Sequence, residues 1–470
     1  MLSSLGNNIV TQLHLELSSM LKEANICQVA IVSKQAKLLR SWYCDMFGFL
    51  PASQTIFTGP LATRVQGVPK DLNFCYWAVD GKRQFQLEFF NFISPKVNPK
   101  PDSWQPYDHG YNIIGIHSWD FEQTLARLQT SQTCQLSAIK GEQGQRWLMV
   151  TDPDGNYVEV TEADPLVEQY KVYPEIPATV RYVRMSVADI NQAQLLWQSS
   201  FGLTENSSVQ LPKYHDEILF PKQPPNYQQC LLQGQGILLE LRQYEQPMAK
   251  PRLANHNVTD QGIMNIAIGA DSVSQWNDYY NGALQQCQPN GKPLDAGIFK
   301  VMYVNEPNKE NIEILYPRKW AYALTGFNPS GVFARGDIVI DASIERVWQC
   351  ITDHNNAGSW AFFSSKLVRA GDQDKNGLKA LRKITLFGLS FQEEITGWHE
   401  QQAYLYRLKS KWMLRNHRGM LNISSCGKKV KLSWSIHFSA PLPGLGKISS
   451  LILTVLIKAS LKKLKKQLQG

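Results

Sequence analysis

The sequence QVAIVSKQAKLLRSWYCDMFGF at residues 28–49 recurs in pattern as YVRMSVADINQAQLLWQSSFGL at residues 182–203. Each copy has the pattern of an apolar strand, a polar turn, an amphipathic helix and a closing Phe-Gly-apolar triplet. Three later blocks repeat in the same order: residues 84–90 and 236–242, 112–120 and 264–272, 152–160 and 306–314. The four offsets are 154, 152, 152 and 154 residues. Such a steady offset predicts that residues 27–163 and 179–317 share one fold.

Each copy also contains an internal repeat, because the strand, turn and helix of residues 110–128 echo those of residues 27–46. We therefore predict two βαβββ units in each copy. The turn sequence DPDGNYVE at residues 152–159 feeds a last strand. Together with the apolar-Glu-apolar strand QFQLEFF, this order resembles the vicinal-oxygen-chelate superfamily of glyoxalases, bleomycin resistance proteins and extradiol dioxygenases. The resemblance implies two domains of that family.

The pattern changes after two linkers, at residues 164–178 and 326–331. A strand is followed by a helix that Asp341 or Ser343 would cap. Strand-like runs come next, at about residues 378–387, 390–397, 403–409, 417–424 and 430–438, and then a long helix at about residues 447–468.

This order, with the segments ITDHNNAGSW, EEITGW and HRGMLNIS, resembles the SRPBCC (START-like) family and its polyketide cyclase/dehydrase-like members. The resemblance implies a helix-grip domain at residues 332–470, in which a curved sheet and a long helix enclose a hydrophobic tunnel. The predicted fold class of the whole chain is α+β.

The composition, 43% hydrophobic and 19% charged, is that of a globular protein. Residues 331–470 carry 22 Lys and Arg against 9 Asp and Glu, or +13, so the remainder carries 8 − 13 = −5. This asymmetry indicates a separate C-terminal unit and an anionic partner or surface. The eight Cys show no paired spacing, which predicts reduced thiols in a cytoplasmic protein. Residues 1–26 are predicted to form an amphipathic helix rather than a signal peptide.

Metal-using members of the superfamily place ligands at positions that the resemblance transfers to this chain. In the first domain they are Gln28, Glu88, Ile113 and Glu159. In the second they are Tyr182, Glu240, Asn265 and Glu313. The carboxylates are present, but all four imidazole positions are replaced, which makes a poor site for zinc or iron. We therefore predict ligand-binding positions without a metal or other cofactor, with weak Mg²⁺ or Mn²⁺ binding through Glu240, Asn265 and Glu313 left open.

Three residues are predicted as catalytic groups. Without a metal, Glu159 or Glu313 in an apolar cup would serve as a general base with a raised pKa. His117 is the third candidate because it lies on the same strand face as Ile113, four residues earlier. The alternative, which is more common for a lone histidine in a strand, is that a neighbouring group simply binds it.

The predicted tunnel of the C-terminal domain is lined by Trp348, Trp360, Phe362, Arg382, Glu394, Tyr406, His417 and Trp434. Among these, the polar side chains would orient a poly-carbonyl chain, as the resemblance to cyclases implies. The last helix grips the sheet in the favoured interpretation, with Lys462, Lys463, Lys465 and Lys466 in water. Contact of this basic helix with a membrane surface is the less favoured alternative. No motif indicates nucleic-acid binding.

These observations favour an enzyme of small-molecule or secondary metabolism that binds an apolar or aromatic, oxygenated metabolite. The expected reaction is an isomerisation, cyclisation or dehydration without a redox cofactor. One alternative is a non-catalytic protein that binds a hydrophobic ligand for carriage or resistance. Another is a divalent-metal-dependent glyoxalase or dioxygenase with altered ligands. The sequence does not indicate an oligomeric state.

Overall fold

A computed structural model describes most of the chain. The described residues are 25–81, 86–131, 134–166, 176–211, 219–220, 223–253, 255–318, 332–372, 374–409, 414–427, 429–440 and 445–469. The predicted N-terminal helix lies outside them except for its last two residues, which are in a strand, and the linker at 326–331 lies wholly outside. The chain divides into two compact units, residues 1–49 with 54–319 and residues 320–470 with 50–53.

The chain up to residue 317 contains sixteen described strands and five described helices. In chain order they are β1 (Asn25–Val32), α1 (Ala36–Phe47), β2 (Leu50–Thr58), α2 (Gly59–Gln66), β3 (Leu72–Val79), β4 (Gln86–Ser94), β5 (Gly110–Ser118), α3 (Phe121–Thr130), β6 (Trp147–Thr151), β7 (Tyr157–Thr161), β8 (Ala178–Ser186), α4 (Ile190–Phe201), β9 (Thr204–Glu205), β10 (Asn226–Gly234), β11 (Ile237–Gln246), β12 (Gly262–Gly269), α5 (Val273–Ala283), β13 (Gln288–Pro289), β14 (Leu294–Asp295), β15 (Phe299–Asn305) and β16 (Asn311–Pro317). The order repeats a strand, a helix and further strands four times, which confirms the predicted doubled βαβββ units.

These four units form two sheets, and each sheet combines units from both sequence repeats. The first sheet has the order β13-β15-β16-β12-β1-β4-β3-β2, with β14 paired to β15. The second has the order β6-β7-β5-β8-β11-β10-β9. The first unit of the chain therefore pairs with the fourth through β1 and β12, and the second pairs with the third through β5 and β8. The domain limits 27–163, 179–317 and 332–470 remain predictions from the sequence.

Local sequence explains how the repeated strand-helix units begin and end. In α4, the Asp189 side chain accepts hydrogen bonds from the backbone N–H of Asn191 and Gln192 and so caps the helix. The helix ends at Gly202, whose φ of 71° is a left-handed conformation that glycine adopts without strain. The turn before β7 is organised by Asp152, whose Oδ1 accepts from the backbone N–H of Asp154 and Asn156, both at 2.9 Å.

In its described residues, the second unit contains a seven-stranded antiparallel sheet and two α-helices. Its elements are β17 (Val332–Ile340), α6 (Ile344–Thr352), β18 (Ser364–Arg369), β19 (Leu381–Leu386), β20 (Leu389–His399), β21 (Ala403–Leu408), β22 (Arg415–Cys426), β23 (Lys429–Ser439) and α7 (Leu445–Gln469). The strand order is β17-β23-β22-β21-β20-β19-β18. Ser343 caps α6 by accepting from the Arg346 N–H at 3.3 Å. The predicted strand order and last helix are confirmed, and β18 is an addition.

The last helix packs on the sheet with only part of its apolar surface. Ile457, Leu461, Leu464 and Leu468 are buried, and Gly336 on β17 lets the helix approach, because a Cβ there would lie 3.0 Å from Ile457 and 3.3 Å from Leu461. In the part of the chain that the structure describes, no helix is both long and apolar enough to cross a membrane.

Candidate functional site

Four buried polar side chains lie near the centre of the first sheet, and we call them site A: Gln28, Glu88, Asn265 and Glu313. Gln28 donates to Glu88 Oε1 at 3.1 Å, and the indole N–H of Trp77, on the neighbouring strand, donates to the same oxygen. Glu313 accepts a hydrogen bond from the Tyr303 side chain. The site draws on β1 and β4 from the first βαβββ unit and on β12 and β16 from the fourth.

The two carboxyl groups of site A are buried and have raised pKa values. Glu88 and Glu313 are each 4% exposed, and among the described residues neither forms an ion pair. Burial raises the pKa of Glu88 to about 7, although the hydrogen bond from Trp77 acts in the opposite direction. Burial and then the charge of Glu88 raise the pKa of Glu313 well above its ordinary value. Both carboxyl groups of site A therefore favour the neutral form more strongly than an exposed glutamate does.

An aromatic wall flanks Glu88. The rings of Phe57 and Trp77 meet edge to face with centroids 6.3 Å apart, and Phe57 stacks on Phe90 at 6.3 Å. Phe57 is only half-buried. Cys75 is buried nearby, and burial followed by the charges of Glu88 and Glu313 raises the pKa of its thiol, which stays neutral. Site A thus combines two buried carboxyl groups of raised pKa with an apolar, aromatic neighbourhood.

The equivalent position in the second sheet, which we call site B, contains Glu159, Tyr182, Arg184, Glu240 and Arg242. Arg184 Nε lies 2.6 Å from Glu240 Oε2, and Arg242 Nη2 lies 2.6 Å from Glu240 Oε1. Arg184 Nη2 also lies 3.5 Å from Glu159 Oε2. All of these charged side chains are at most 1% exposed. Two guanidinium groups therefore compensate the two carboxylates of site B inside the fold.

The sequence interpretation missed these two arginines, although the repeat alignment contains the signal. An offset of 154 residues aligns Arg184 with Ala30, and an offset of 152 aligns Arg242 with Phe90. The strand pairing supports the first of these alignments. Ala30 is paired with Glu88 in the first sheet, and Arg184 is paired with the corresponding Glu240 in the second. At each of these two positions, site B has a charged residue where site A has a buried apolar one. This difference distinguishes the two sites.

The structure regroups the residues that the sequence assigned to each domain. Gln28 and Glu88 lie with Asn265 and Glu313, not with Ile113 and Glu159. Tyr182 and Glu240 instead lie with Ile113 and Glu159, in the second sheet. The physical reason is that each sheet forms from units of both repeats. The cation site considered for Glu240, Asn265 and Glu313 is therefore wrong as a group, because Glu240 lies in the other sheet.

The three predicted catalytic residues lie in three different places. Glu313 is in site A and Glu159 is in site B. His117 binds neighbouring groups instead: its Nδ1 lies 3.3 Å from the Thr161 carbonyl oxygen and its Nε2 lies 3.9 Å from Asp164 Oδ2. Burial lowers the pKa of His117. These contacts fit the alternative interpretation, in which neighbouring groups simply bind His117.

The donor atoms of site A fit a hard divalent cation, whereas those of site B do not. Glu88 Oε2, Glu313 Oε2 and Asn265 Oδ1 are buried and have no hydrogen-bond partner among the described residues. Carboxylate and amide oxygens are ligands that Mg²⁺ and Mn²⁺ accept. No cluster of three or more His, Cys, Asp and Glu suited to a metal occurs within the described ranges. In site B, the guanidiniums already supply the positive charge.

The second unit encloses a narrow cavity with one polar end. The space that the centre of a water molecule can occupy in it is about 60 Å³. Apolar side chains form most of its wall. Arg382 and Glu393 form a buried pair at the polar end, with Arg382 Nη2 and Glu393 Oε2 2.9 Å apart. Tyr406 and His417 line the same cavity. Trp434 Nε1 donates to the Tyr406 hydroxyl at 2.8 Å, and burial lowers the pKa of His417.

The predicted lining of this cavity is correct in part. Phe362, Arg382, Tyr406, His417 and Trp434 are on the wall. Trp348 and Trp360 are instead packed in the core of the unit. Glu394 is also misplaced, because its carboxylate lies on the outer face of β20, 3.1 Å from Arg407 and 3.2 Å from Lys409. The adjacent Glu393 takes the inner position, since successive side chains of a strand point to opposite faces.

Comparison with known proteins gives two family matches. Residues 25–160 match the glyoxalase/bleomycin resistance protein/dioxygenase superfamily, and residues 334–469 match the polyketide cyclase/dehydrase and lipid transport family. Both resemblances inferred from the sequence are confirmed. No curated protein matches the chain.

Several solved structures are similar to parts of the chain. A mutant of glyoxalase I from Zea mays shares 14% identity over 65% of this chain and 96% of its own, with a TM-score of 0.43. A putative dioxygenase from Bacillus subtilis shares 12% identity over 64% and 87%, with a TM-score of 0.44. A START superfamily protein from Mycobacterium smegmatis shares 12% identity over 29% and 97%, with a TM-score of 0.26.

Proposed function

Because this chain joins a glyoxalase-superfamily region at residues 25–160 to a polyketide-cyclase-family region at residues 334–469, we propose that it is an enzyme that acts on a small, hydrophobic, oxygenated molecule. The reaction is a proton transfer at a carbon next to a carbonyl group, which leads to isomerisation, cyclisation or dehydration. Site A supports the proposal through one observation: Glu88 and Glu313 are buried carboxyl groups with no ion-pair partner among the described residues, and burial raises the pKa of both.

The two carboxyl groups have complementary roles in this proposal. Ionised Glu88 removes the proton from the substrate carbon through Oε2, because Gln28 and Trp77 already occupy Oε1. Protonated Glu313 donates to the carbonyl oxygen, so that an enol forms without a separated charge. In an isomerisation, Glu88 then gives its proton to the neighbouring carbon, and ionised Glu313 takes a proton from an enol oxygen as the new carbonyl forms. In a dehydration, Glu313 takes the proton of the enol hydroxyl as the carbonyl re-forms, and the proton on Glu88 joins the departing β hydroxyl group to make water.

A second candidate is the same chemistry with a divalent cation, and the three oxygens of site A without hydrogen-bond partners favour it. Glu88, Asn265 and Glu313 would hold the cation, with Gln28 beside them. A bound cation would supply Lewis-acid stabilisation of the enolate oxygen. In that form Glu88 and Glu313 would both be ionised ligands, and the aromatic side chains beside Glu88 would contact the apolar part of the substrate.

The C-terminal cavity has the character of a binding site for a hydrophobic molecule. In our proposal, the apolar wall takes the hydrocarbon part of the ligand, while Arg382, Tyr406 and His417 orient an oxygen atom at the polar end. A protein that only bound such a ligand would use the same cavity but would leave the ligand unchanged. Turnover therefore separates the enzyme from the non-catalytic alternative.

Deuterium exchange tests the proposal directly. The purified chain is incubated in D₂O with an aromatic α-hydroxyketone such as 2-hydroxyacetophenone, and proton NMR follows loss of the signal from the carbon next to the carbonyl. We expect exchange that rises with pH toward about 7, as Glu88 ionises. Glu88→Gln should lower the rate about 100-fold or more, the usual contribution of a general base.

Glu306 offers a matched control, because burial also raises its pKa to about 7 but it lies outside site A. Glu306→Gln should leave the exchange rate unchanged. Equal rates for wild type and Glu88→Gln, or an equal loss in Glu306→Gln, would contradict the proposal. Repeating the assay after chelation and after adding Mg²⁺ or Mn²⁺ distinguishes the two forms of the site.

A further inference from the structure

A cavity separate from sites A and B lies where the two sequence repeats cross in the first unit. The space that the centre of a water molecule can occupy in it is about 300 Å³. Its wall comes from the segments 98–112 and 250–263, which lead into β5 and β12, and from Asn156. The segments pair reciprocally, because the His109 N–H donates to the Lys250 carbonyl and the Gln261 N–H to the Asn98 carbonyl, both at 2.9 Å. We call this space the crossing cavity.

The two segments place a cation at equivalent positions, but the two cations have different partners. An offset of 152 residues aligns Lys100 with Arg252, and an offset of 154 aligns Asn156 with Glu310. Arg252 Nη2 donates to Glu310 Oε2 at 2.9 Å. Lys100 Nζ instead donates to the amide oxygen of Asn156 at 2.7 Å. A carboxylate therefore neutralises the guanidinium, whereas the ammonium has a neutral partner.

The other contacts of Lys100 are also neutral. Its Nζ lies 3.4 Å from the Gly155 carbonyl oxygen and 4.4 Å from the centroid of the Trp104 ring. Among the described residues it forms no ion pair. Burial lowers the pKa of Lys100 to about 8, although the charges of Asp152 and Asp154 act in the opposite direction. An anion next to the ammonium would offset this cost of burial.

The two carboxylates on the wall of the crossing cavity are used to hold its segments. Asp108 accepts from the backbone N–H of Lys250 and of Gln105, both at 2.9 Å. Asp260 accepts from the Asn98 side chain at 2.9 Å. Each carboxylate thus joins one segment to the other. Neither is paired with Lys100.

The remaining wall next to Lys100 is largely apolar. The Trp104 ring is held by stacking on Tyr157, with centroids 6.3 Å apart and an angle of 28° between the rings. Proline and aliphatic side chains add to this surface: Pro99, Pro101, Pro251, Leu253 and Ile263. An ammonium beside a flat apolar wall suits a ligand that has one negative charge and an apolar body.

We propose that the crossing cavity binds a small carboxylate with an apolar or aromatic body. The carboxylate pairs with Lys100, and the body lies against Trp104 and the prolines. Such a ligand contacts segments of both repeats and so stabilises the folded first unit by binding to it. The proposal does not depend on the reaction at site A, because no residue of site A lines this cavity.

Fluorine NMR titration of the full chain with para-fluorobenzoate tests this proposal. The wild type should bind para-fluorobenzoate, and it should bind the uncharged para-fluorobenzyl alcohol about tenfold more weakly or less, since a hydrogen bond to a charged group is lost. Lys100→Gln removes the ammonium. Asn156→Glu supplies an internal carboxylate, as Glu310 does for Arg252. Each variant should weaken the binding of para-fluorobenzoate by about tenfold or more.

Lys96→Gln is the matched control, because Lys96 precedes Lys100 by one helical repeat of sequence, is exposed and does not line the cavity. This variant should bind like the wild type. Circular dichroism checks that each variant is folded. Absence of wild-type binding would overturn the proposal, as would equal affinity for the benzoate and the alcohol. Unchanged affinity in folded Lys100→Gln would also overturn it, since the benzoate would then bind elsewhere.

Discussion

Sites A and B occupy equivalent positions in two sheets of one duplicated fold, but they treat their buried carboxyl groups in opposite ways. Site B places Arg184 and Arg242 against Glu240, with contacts of 2.6 Å. Site A has Ala30 and Phe90 at the aligned positions, and Glu88 and Glu313 share a buried region without an ion pair among the described residues.

In our proposal, this difference determines which copy carries the chemistry. A buried carboxylate matched by guanidinium groups is a structural element whose protonation would break ion pairs. A buried carboxyl group without a counter-charge has a raised pKa and exchanges protons near neutral pH. At two aligned positions, site B has arginine where site A has an apolar residue, and these arginines account for the different charge balance of the two sites.

The largest expected effect concerns site B. Glu240→Ala removes the carboxylate that contacts both Arg184 and Arg242, and truncating one partner of a buried ion pair typically costs about 3–5 kcal/mol. We expect a loss of this size in the free energy of unfolding, measured by urea denaturation with tryptophan fluorescence. A loss below about 1 kcal/mol would mean that site B is not held by its ion pairs.

The next effect concerns the stability of site A. Its contribution to the free energy of unfolding falls as pH rises, whereas that of a salt-bridged carboxylate falls as pH is lowered. The pKa of Glu88 is raised from 4.5 to about 7 in the folded state. Its neutral form therefore stabilises the fold fully below pH 4.5, and this stability is lost as pH rises to about 7. The change amounts to about 3 kcal/mol. Glu88→Gln should flatten this decline in urea denaturation at a series of pH values, whereas an unchanged slope would assign it to other groups.

A smaller effect distinguishes the packing of the two sites. A Cβ on Gly115 would lie 2.1 Å from the Tyr182 ring, so Gly115→Ala should destabilise the protein by about 1–3 kcal/mol in the same denaturation assay. The aligned residue in site A is Ala267, which pairs with the smaller Gln28. Replacing Tyr182 by Leu in the Gly115→Ala background should recover part of the loss. Full tolerance of Gly115→Ala would show that the Tyr182 ring moves freely.

Much of the first unit could be predicted because its periodicity and repeat offset are local features of the sequence. The pairing of units across the repeats could not, since β1 joins β12 through contacts more than 200 residues apart in the chain. Every residue transferred from the resemblance lies in a strand of the two sheets, but the sequence grouped Gln28 and Glu88 with the wrong partners. Aligning Arg184 with Ala30 would have shown the divergence earlier.

The second unit shows a different limit. Its strand order follows from the sequence, but one residue of strand parity decides that Glu393 rather than Glu394 lines the cavity. Likewise, the apolar run of the last helix contains both buried Ile457 and exposed Leu451. Only the packing of the helix on β17 determines which of these residues faces the sheet.

Infrared spectroscopy of the carboxyl groups tests the central difference between the sites most directly. Difference spectra between wild type and Glu313→Gln should contain the C=O stretch of a protonated carboxylic acid at neutral pH, and in D₂O this band should shift. Difference spectra between wild type and Glu240→Gln should contain only ionised carboxylate bands. A site A spectrum with no protonated acid at neutral pH would contradict the account, because Glu313 would then be ionised and another positive charge would have to compensate it.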